Sequence, residues 1–173
     1  MPLPIAHSLV GASIAALWRP KVSLSRDWKV LAFAGFLAVT PDFDFVFLWG
    51  LRWWGFHRGP THSIIFSVCA VAIALAIFGA SYLRDILMYG CALLSHGLLD
   101  FATTTYGGGV KLFWPFMPQR FKLGIFSVSE FGISRHPLYD YLLGILTYCM
   151  IELLIFLPIF LAVLWLKRNR EQG

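Results

Sequence analysis

The sequence is short of charge. Only 13% of its 173 residues are Asp, Glu, Lys or Arg, where a soluble domain carries about a quarter. The shortage goes with 58% hydrophobic residues and a mean hydropathy of +0.72. It excludes a disordered tail and an ordinary soluble enzyme, because too little polar surface exists to face water. Lipid is the cover that this composition calls for, and residues 1–173 read as a single integral membrane domain. Cysteine is scarce as well. Cys69, Cys91 and Cys149 stand alone in apolar runs without CxxC spacing, which leaves them as small core hydrophobes rather than thiolate ligands. The first twenty residues have neither a basic n-region nor a clean small-residue cleavage site, so no removable signal peptide is expected. There is no internal repeat, low-complexity stretch or linker. The 14 Lys and Arg give a net charge of +5 but are too dispersed for a nucleic-acid stripe, and no nucleic-acid partner is expected.

What is present is a series of apolar stretches at about 4–18, 28–51, 63–83, 86–105 and 138–166, with an interfacial loop at about 106–137. The pattern predicts an all-α, multi-pass transmembrane helical bundle of about four to five membrane helices. The first stretch covers only about 21 Å as a helix against a hydrocarbon core of about 30 Å, so whether it spans is open, and re-entrant, interfacial and buried placements among the other helices are the alternatives. If the helices alternate in direction, Arg19, Lys21, Arg26, Lys29, Arg84, Lys167, Arg168 and Arg170 fall on one side. Arg52, Arg58, Lys111, Arg120, Lys122 and Arg135 fall on the other. The excess favours a cytoplasmic C-terminal tail.

The few acidic residues and histidines carry more information, because a charge in an apolar segment is costly unless it is paired or binds metal. With alternating helices, His7, Asp42, Asp44, His57, His62, His96, Asp100, His136 and Asp140 all land toward one membrane face. Oxygen and nitrogen ligands gathered from several helices are how a bundle builds a metal site. His96 and Asp100 in SHGLLD lie about 40° and about 6 Å apart on a helix, within reach of one ion; a buried His–Asp hydrogen bond is the alternative. In HRGPTHS, residues 57–63, Pro60 fits the first turn of the following helix, leaving His57 and Arg58 on the loop and Thr61, His62 and Ser63 at the helix start. Both histidines can then face one cavity, beside free N–H groups that favour an anion. PDFD, residues 41–44, places two carboxylates at the end of an apolar stretch, as ligands, as a helix cap by Asp42, or as partners of Arg58. Carboxylates and imidazoles without thiolates suit a divalent metal, with zinc, manganese or iron as the choices.

Three further residues have weaker patterns. His136 and Asp140 repeat the His-x-x-x-Asp spacing, but Pro137 puts His136 before the helix. Glu130 is a loop carboxylate that could join the site. Glu152, in the middle of the last stretch, reads instead as a hydrogen-bond partner of a neighbouring helix. In the loop before it, Trp114, Phe116 and Phe121 are placed to insert at the membrane surface, with Lys111, Arg120 and Lys122 near phosphates.

An early His followed by PDxD, HRGxTHS, SHxxLD and a Gly-rich turn into LFWPF resembles the YdjM-like family of membrane-bound metal-dependent hydrolases, from His7 to about Phe121. The resemblance implies a bacterial inner-membrane protein with a divalent metal site held by His7, Asp42, Asp44, His57, His62, His96 and Asp100, zinc being the first choice. The family is distantly similar to zinc-dependent phospholipases C and P1-type nucleases, which implies phosphoester cleavage. One departure is Phe45, where many members carry a histidine after the second aspartate. The expectation is a metal-dependent hydrolase acting on a phosphoester of a membrane lipid or other amphiphile. Asp42, Asp44 and Arg58 are its catalytic candidates, and Arg58, Lys111, Arg120 and Lys122 its substrate-binding candidates. A divalent cation transporter and a scaffold with a structural metal are the competing expectations.

Overall fold

The computed structural model describes residues 2–52, 57–104, 108–125 and 138–169, without the side chains of 47–49, 138–141 and 169. Regular structure among them is helical, apart from one isolated antiparallel bridge between Val110 and Phe121. The helices are α1 (Pro4–Trp18), α2 (Leu24–Val39), α3 (Phe45–Gly50), α4 (Ile64–Phe78), α5 (Leu83–Thr103) and α6 (Leu138–Asn169). Two apolar segments are long enough to cross a membrane, Ala80–Thr103 and Leu142–Arg168, while α1 and α4 are apolar but shorter. Trp18, Trp28 and Trp165 are exposed at the ends of α1, α2 and α6 that lie together, as an interfacial belt requires. Toward the other end Trp114 is exposed, whereas Trp53, Trp54 and the Trp49 side chain lie outside the described residues.

Helices α1, α2 and α5 form the centre, with α6 packed on α1 and α4 on α5. Small residues set the α1–α2 approach. A Cβ on Gly11 would lie 2.6 Å from the Ala34 carbonyl oxygen, and one on Gly35 would lie 2.9 Å from that of Ser8. Backbones this close are the usual packing of membrane helices, where dispersion replaces the hydrophobic effect.

The second apolar stretch is not one helix. Pro41 lacks an N–H to continue α2, and the chain tightens into a 3-10 turn over Thr40–Asp44 before resuming as α3. HRGPTHS differs from expectation in a similar way: Pro60–His62 is a separate 3-10 turn, and α4 begins only at Ile64. Ser63 is the cap, its Oγ accepting the Phe66 amide at 3.2 Å. Pro60 favours the first turn of either helix type, so the sequence did not distinguish them.

The described part of the long loop, 108–125, is also more than a surface anchor. The Ile64 amide donates to the Leu112 carbonyl, the Lys111 amide to Arg58, and the Leu123 and Ile125 amides to Phe101 and Ala102. The loop thereby joins the start of α4 to the end of α5.

Candidate metal centre

At one end of the bundle, helix starts and helix ends bring their polar side chains together. The first turns of α1 supply His7, the 3-10 turn after α2 supplies Asp42 and Asp44, the Pro60–His62 turn supplies His62, and the last turns of α5 supply His96 and Asp100. All six are buried, His7, His96 and Asp100 completely.

The 3-10 turn explains why its two aspartates have different partners. At about three residues per turn, positions i and i+2 point roughly 120° apart. Asp42 faces inward, its Oδ1 3.4 Å from His96 Nε2 and 3.5 Å from His62 Nε2. Asp44 faces the loop, where its Oδ1 accepts from His57 Nδ1 at 2.8 Å and its Oδ2 from the Thr61 hydroxyl at 2.9 Å.

These bonds also assign the imidazole protons. His96 Nδ1 lies 2.7 Å from the Ala38 carbonyl, which can only accept, so Nδ1 carries the proton. Thr61 donates to Asp44, so its oxygen accepts from His62 Nδ1 at 3.0 Å. His57 donates from Nδ1 as well. In each ring the Nε2 lone pair is then the free acceptor, the arrangement in which outer partners orient metal-binding histidines.

The centre therefore collects more acceptors than donors: one His7 nitrogen carries a proton and the Arg58 guanidinium stands at the edge. His62 Nε2 and His96 Nε2 are 3.0 Å apart, Asp100 Oδ2 lies 3.6 Å from the first and 3.9 Å from the second, and Asp100 Oδ1 lies 3.6 Å from His7 Nε2. His7 stacks on His96 with ring centroids 3.9 Å apart. Both ring nitrogens of His7, Asp42 Oδ1 and both oxygens of Asp100 are buried without a hydrogen-bond partner among the described residues. Desolvating a carboxylate costs several kcal/mol, and facing lone pairs repel, so the cluster calls for positive charge at its centre. Three sets have ligand atoms within 4.8 Å of one another and can hold a metal ion: His7, Asp42 and His96; Asp42, His57 and His62; and His62, His96 and Asp100. The donor set fits a divalent ion such as zinc.

Arginines border the cluster. Arg58, in a left-handed conformation at φ 55°, brings its Nε to 3.9 Å from Asp100 Oδ2. Backbone strain of this kind is found where a side chain must be aimed. Arg120 donates to the carbonyls of Gly109 and His57, both at 3.0 Å, so its guanidinium braces the His57 loop. Burial, with the neighbouring Arg58 charge, pushes Arg120 below its usual value. Lys111 is partly buried and Lys122 exposed on the same loop. Glu130 and His136 lie outside the described residues; Asp140 is in the first turn of α6, but its side chain also lies outside them.

Sequence reasoning gave no role to Thr61, Gly97 or the Ala38 carbonyl. A Cβ on Gly97 would stand 2.2 Å from the His62 carbonyl oxygen, so only glycine lets the His62 turn rest against α5. The signals available were a hydroxyl and a glycine directly beside candidate ligands. A cavity of about 510 Å³ lies elsewhere, along α2, α4 and α5 between Leu37 and Arg19. A smaller one of about 290 Å³ adjoins Asp42 and is walled by Phe43, Phe45 and Val46.

The fold and cluster define a class: an all-α protein with apolar helices fit for a membrane and a buried His/Asp centre at one end. Residues 1–171 match the family described as "YdjM inner membrane protein", and the chain belongs to that family. A relative, "Inner membrane protein YbcI" of Escherichia coli (strain K12), is 36% identical over 146 residues, covering 79% of this chain and 82% of that protein. No solved structure matches.

Proposed function

We propose that this inner membrane protein is a metal-dependent hydrolase that cleaves a phosphoester of a membrane lipid or another amphiphile. The observation that carries the reading is the convergence of buried polar atoms with no hydrogen-bond partner among the described residues, Asp42 Oδ1, both Asp100 oxygens and the His7 nitrogens, around the facing Nε2 atoms of His62 and His96. His7, Asp42, His57, His62, His96 and Asp100 hold the metal, with zinc preferred over manganese and iron. One catalytic zinc uses about three protein ligands and keeps a position open, so this donor set has capacity for more than one ion. When bound, the metal acts as a Lewis acid that acidifies water and polarises a phosphoryl oxygen.

The remaining work belongs to the chain. Asp44 orients His57 directly and His62 through Thr61. Asp42 would hold the metal through Oδ1, which faces His62 and His96, and would take the proton from the attacking water only through its other oxygen. Arg58 stands where it can offset charge developing on the phosphoryl group, and Arg120 keeps the backbone of the neighbouring His57 in place. Phe43 and Val46, 54% and 69% exposed respectively, give the Asp42 cavity an apolar approach suited to a lipid tail. Lys111 and Lys122 are the headgroup contacts. In this reading four to five helices cross the bilayer, the C-terminal tail is cytoplasmic and the cluster faces outward.

The test combines metal analysis of the purified full-length protein and a His96→Ala, Asp100→Ala variant with a screen of phospholipids and phosphodiesters in zinc and manganese. We expect stoichiometric metal in the wild type, its loss in the variant, and release of a phosphate-bearing product by the wild type alone. Metal-free wild type, or a variant that keeps all its metal, overturns the assignment. Bound metal without turnover supports a structural ion, and metal-dependent flux in proteoliposomes supports a transporter.

A further inference from the structure

The histidines of the cluster are not held alike. His57, His62 and His96 each have Nδ1 tied to an acceptor. His7 has neither nitrogen hydrogen-bonded among the described residues, so its ring is placed by the stack on His96, by the Asp100 carboxylate 3.6 Å from its Nε2 and by the backbone that carries it. That backbone is the first turn of α1, which provides little for its own end. Leu3 makes no side-chain cap, and the turn holds no acidic residue, leaving helix-start amides that must find acceptors inside the bundle.

The acceptor arrives from the far end of the sequence. Glu152 is the sole acidic residue between Leu142 and Arg168 and is completely buried. Its Oε1 accepts the Leu3 amide and its Oε2 accepts the Ala6 amide at 3.1 Å. Ala6 immediately precedes His7. A carboxylate in the middle of an apolar span is costly and needs a specific use, and its negative charge suits the positive end of the α1 dipole.

We propose that Glu152 is a positioning residue: from α6 it closes the N-terminus of α1 and thereby fixes where His7 meets His96 and Asp100. It touches no other member of the cluster through a described hydrogen bond, so its effect passes through α1. The consequence for metal uptake rests on the hydrolase reading; the placement of His7 does not.

Two measurements on the full-length chain test it. The first replaces Cys69, Cys91 and Cys149 by alanine, introduces His7→Cys, and follows its modification by a small thiol reagent. With Glu152 present the thiol is protected; adding Glu152→Ala should speed modification at least tenfold, while a cysteine at the equally buried Ala92 stays protected. An unchanged rate at position 7, or equal loss of protection at both positions, overturns the proposal. The second measures Co²⁺ affinity in the native-cysteine chain. Glu152→Ala should weaken binding at least tenfold with His7 present and have no further effect beside His7→Ala, and Glu152→Gln, keeping one acceptor oxygen, should fall between. An equal loss with and without His7 overturns the proposal. If the wild type takes up no Co²⁺, the hydrolase reading fails and the thiol measurement alone decides the role of Glu152.

Discussion

The two ends of the bundle treat buried polarity in opposite ways. At the end holding Trp18, Trp28 and Trp165, the buried polar side chains described have partners: Arg84 and Lys167 donate to the carbonyls of Trp18 and Arg19 at 3.1 and 2.8 Å. Asp27 accepts the Ser23 amide at 2.8 Å and pairs with Arg19 and Arg26. These bonds close the end of α1 and the start of α2. At the other end, carboxylates and imidazoles are packed more deeply and their inward atoms are unpaired. A stability requirement alone would have produced the first arrangement twice. The difference makes the second end the candidate place for a ligand.

Breaking the comparison means damaging one end and leaving the other intact. The largest effect is expected from Gly97→Ala, because the added methyl collides with the His62 carbonyl and moves the turn off α5. Metal affinity should fall more than a hundredfold, with a stability loss of about 1–3 kcal/mol from overpacking, read by isothermal titration and by thermal unfolding in detergent. Next is Thr61→Val, which keeps the shape but removes the hydroxyl linking His62 to Asp44. It should lower affinity by about 10- to 100-fold, as loss of an outer partner does, and Thr61→Ser should restore most of it.

Smaller effects belong to the other end. Lys167→Ala should cost about 1 kcal/mol of stability and leave metal content unchanged; loss of metal would mean the ends are coupled. Asp27 gives the finest test. The Ser23 amide, aided by Arg26 and Arg19, holds its carboxyl below the usual range, so the stability it adds is complete above the unfolded pKa and lost as pH falls through the lower folded value. The melting-temperature gap between wild type and Asp27→Asn should therefore be constant from about pH 7 to 5 and close below about pH 4.

The sequence carried the cluster further than it carried the fold around it. His96 and Asp100 could be paired from helical spacing, and alternating helix direction was enough to bring His7, Asp42 and His62 to the same end. That logic needs only periodicity and the length of the spans. It did not separate Asp42 from Asp44, because whether the residues after Pro41 continue as α-helix or tighten to a 3-10 turn decides where each carboxylate points. Nor did it find the partners of Arg120: a basic residue in an aromatic loop reads as a headgroup contact until the loop is seen folded against His57. Ala38 has no side-chain signal at all, since its part is a carbonyl oxygen freed to accept His96 near the end of α2.

Both termini of α1 are finished by the last helix: Glu152 takes the amides at its start and Lys167 a carbonyl just past its end. During synthesis α1 emerges long before α6, so the amides at its start must wait for Glu152. A chain that stopped short of α6 would contain every cluster residue and still lack the partner that closes the turn carrying His7, so in this reading insertion of α6 is the step that completes the site.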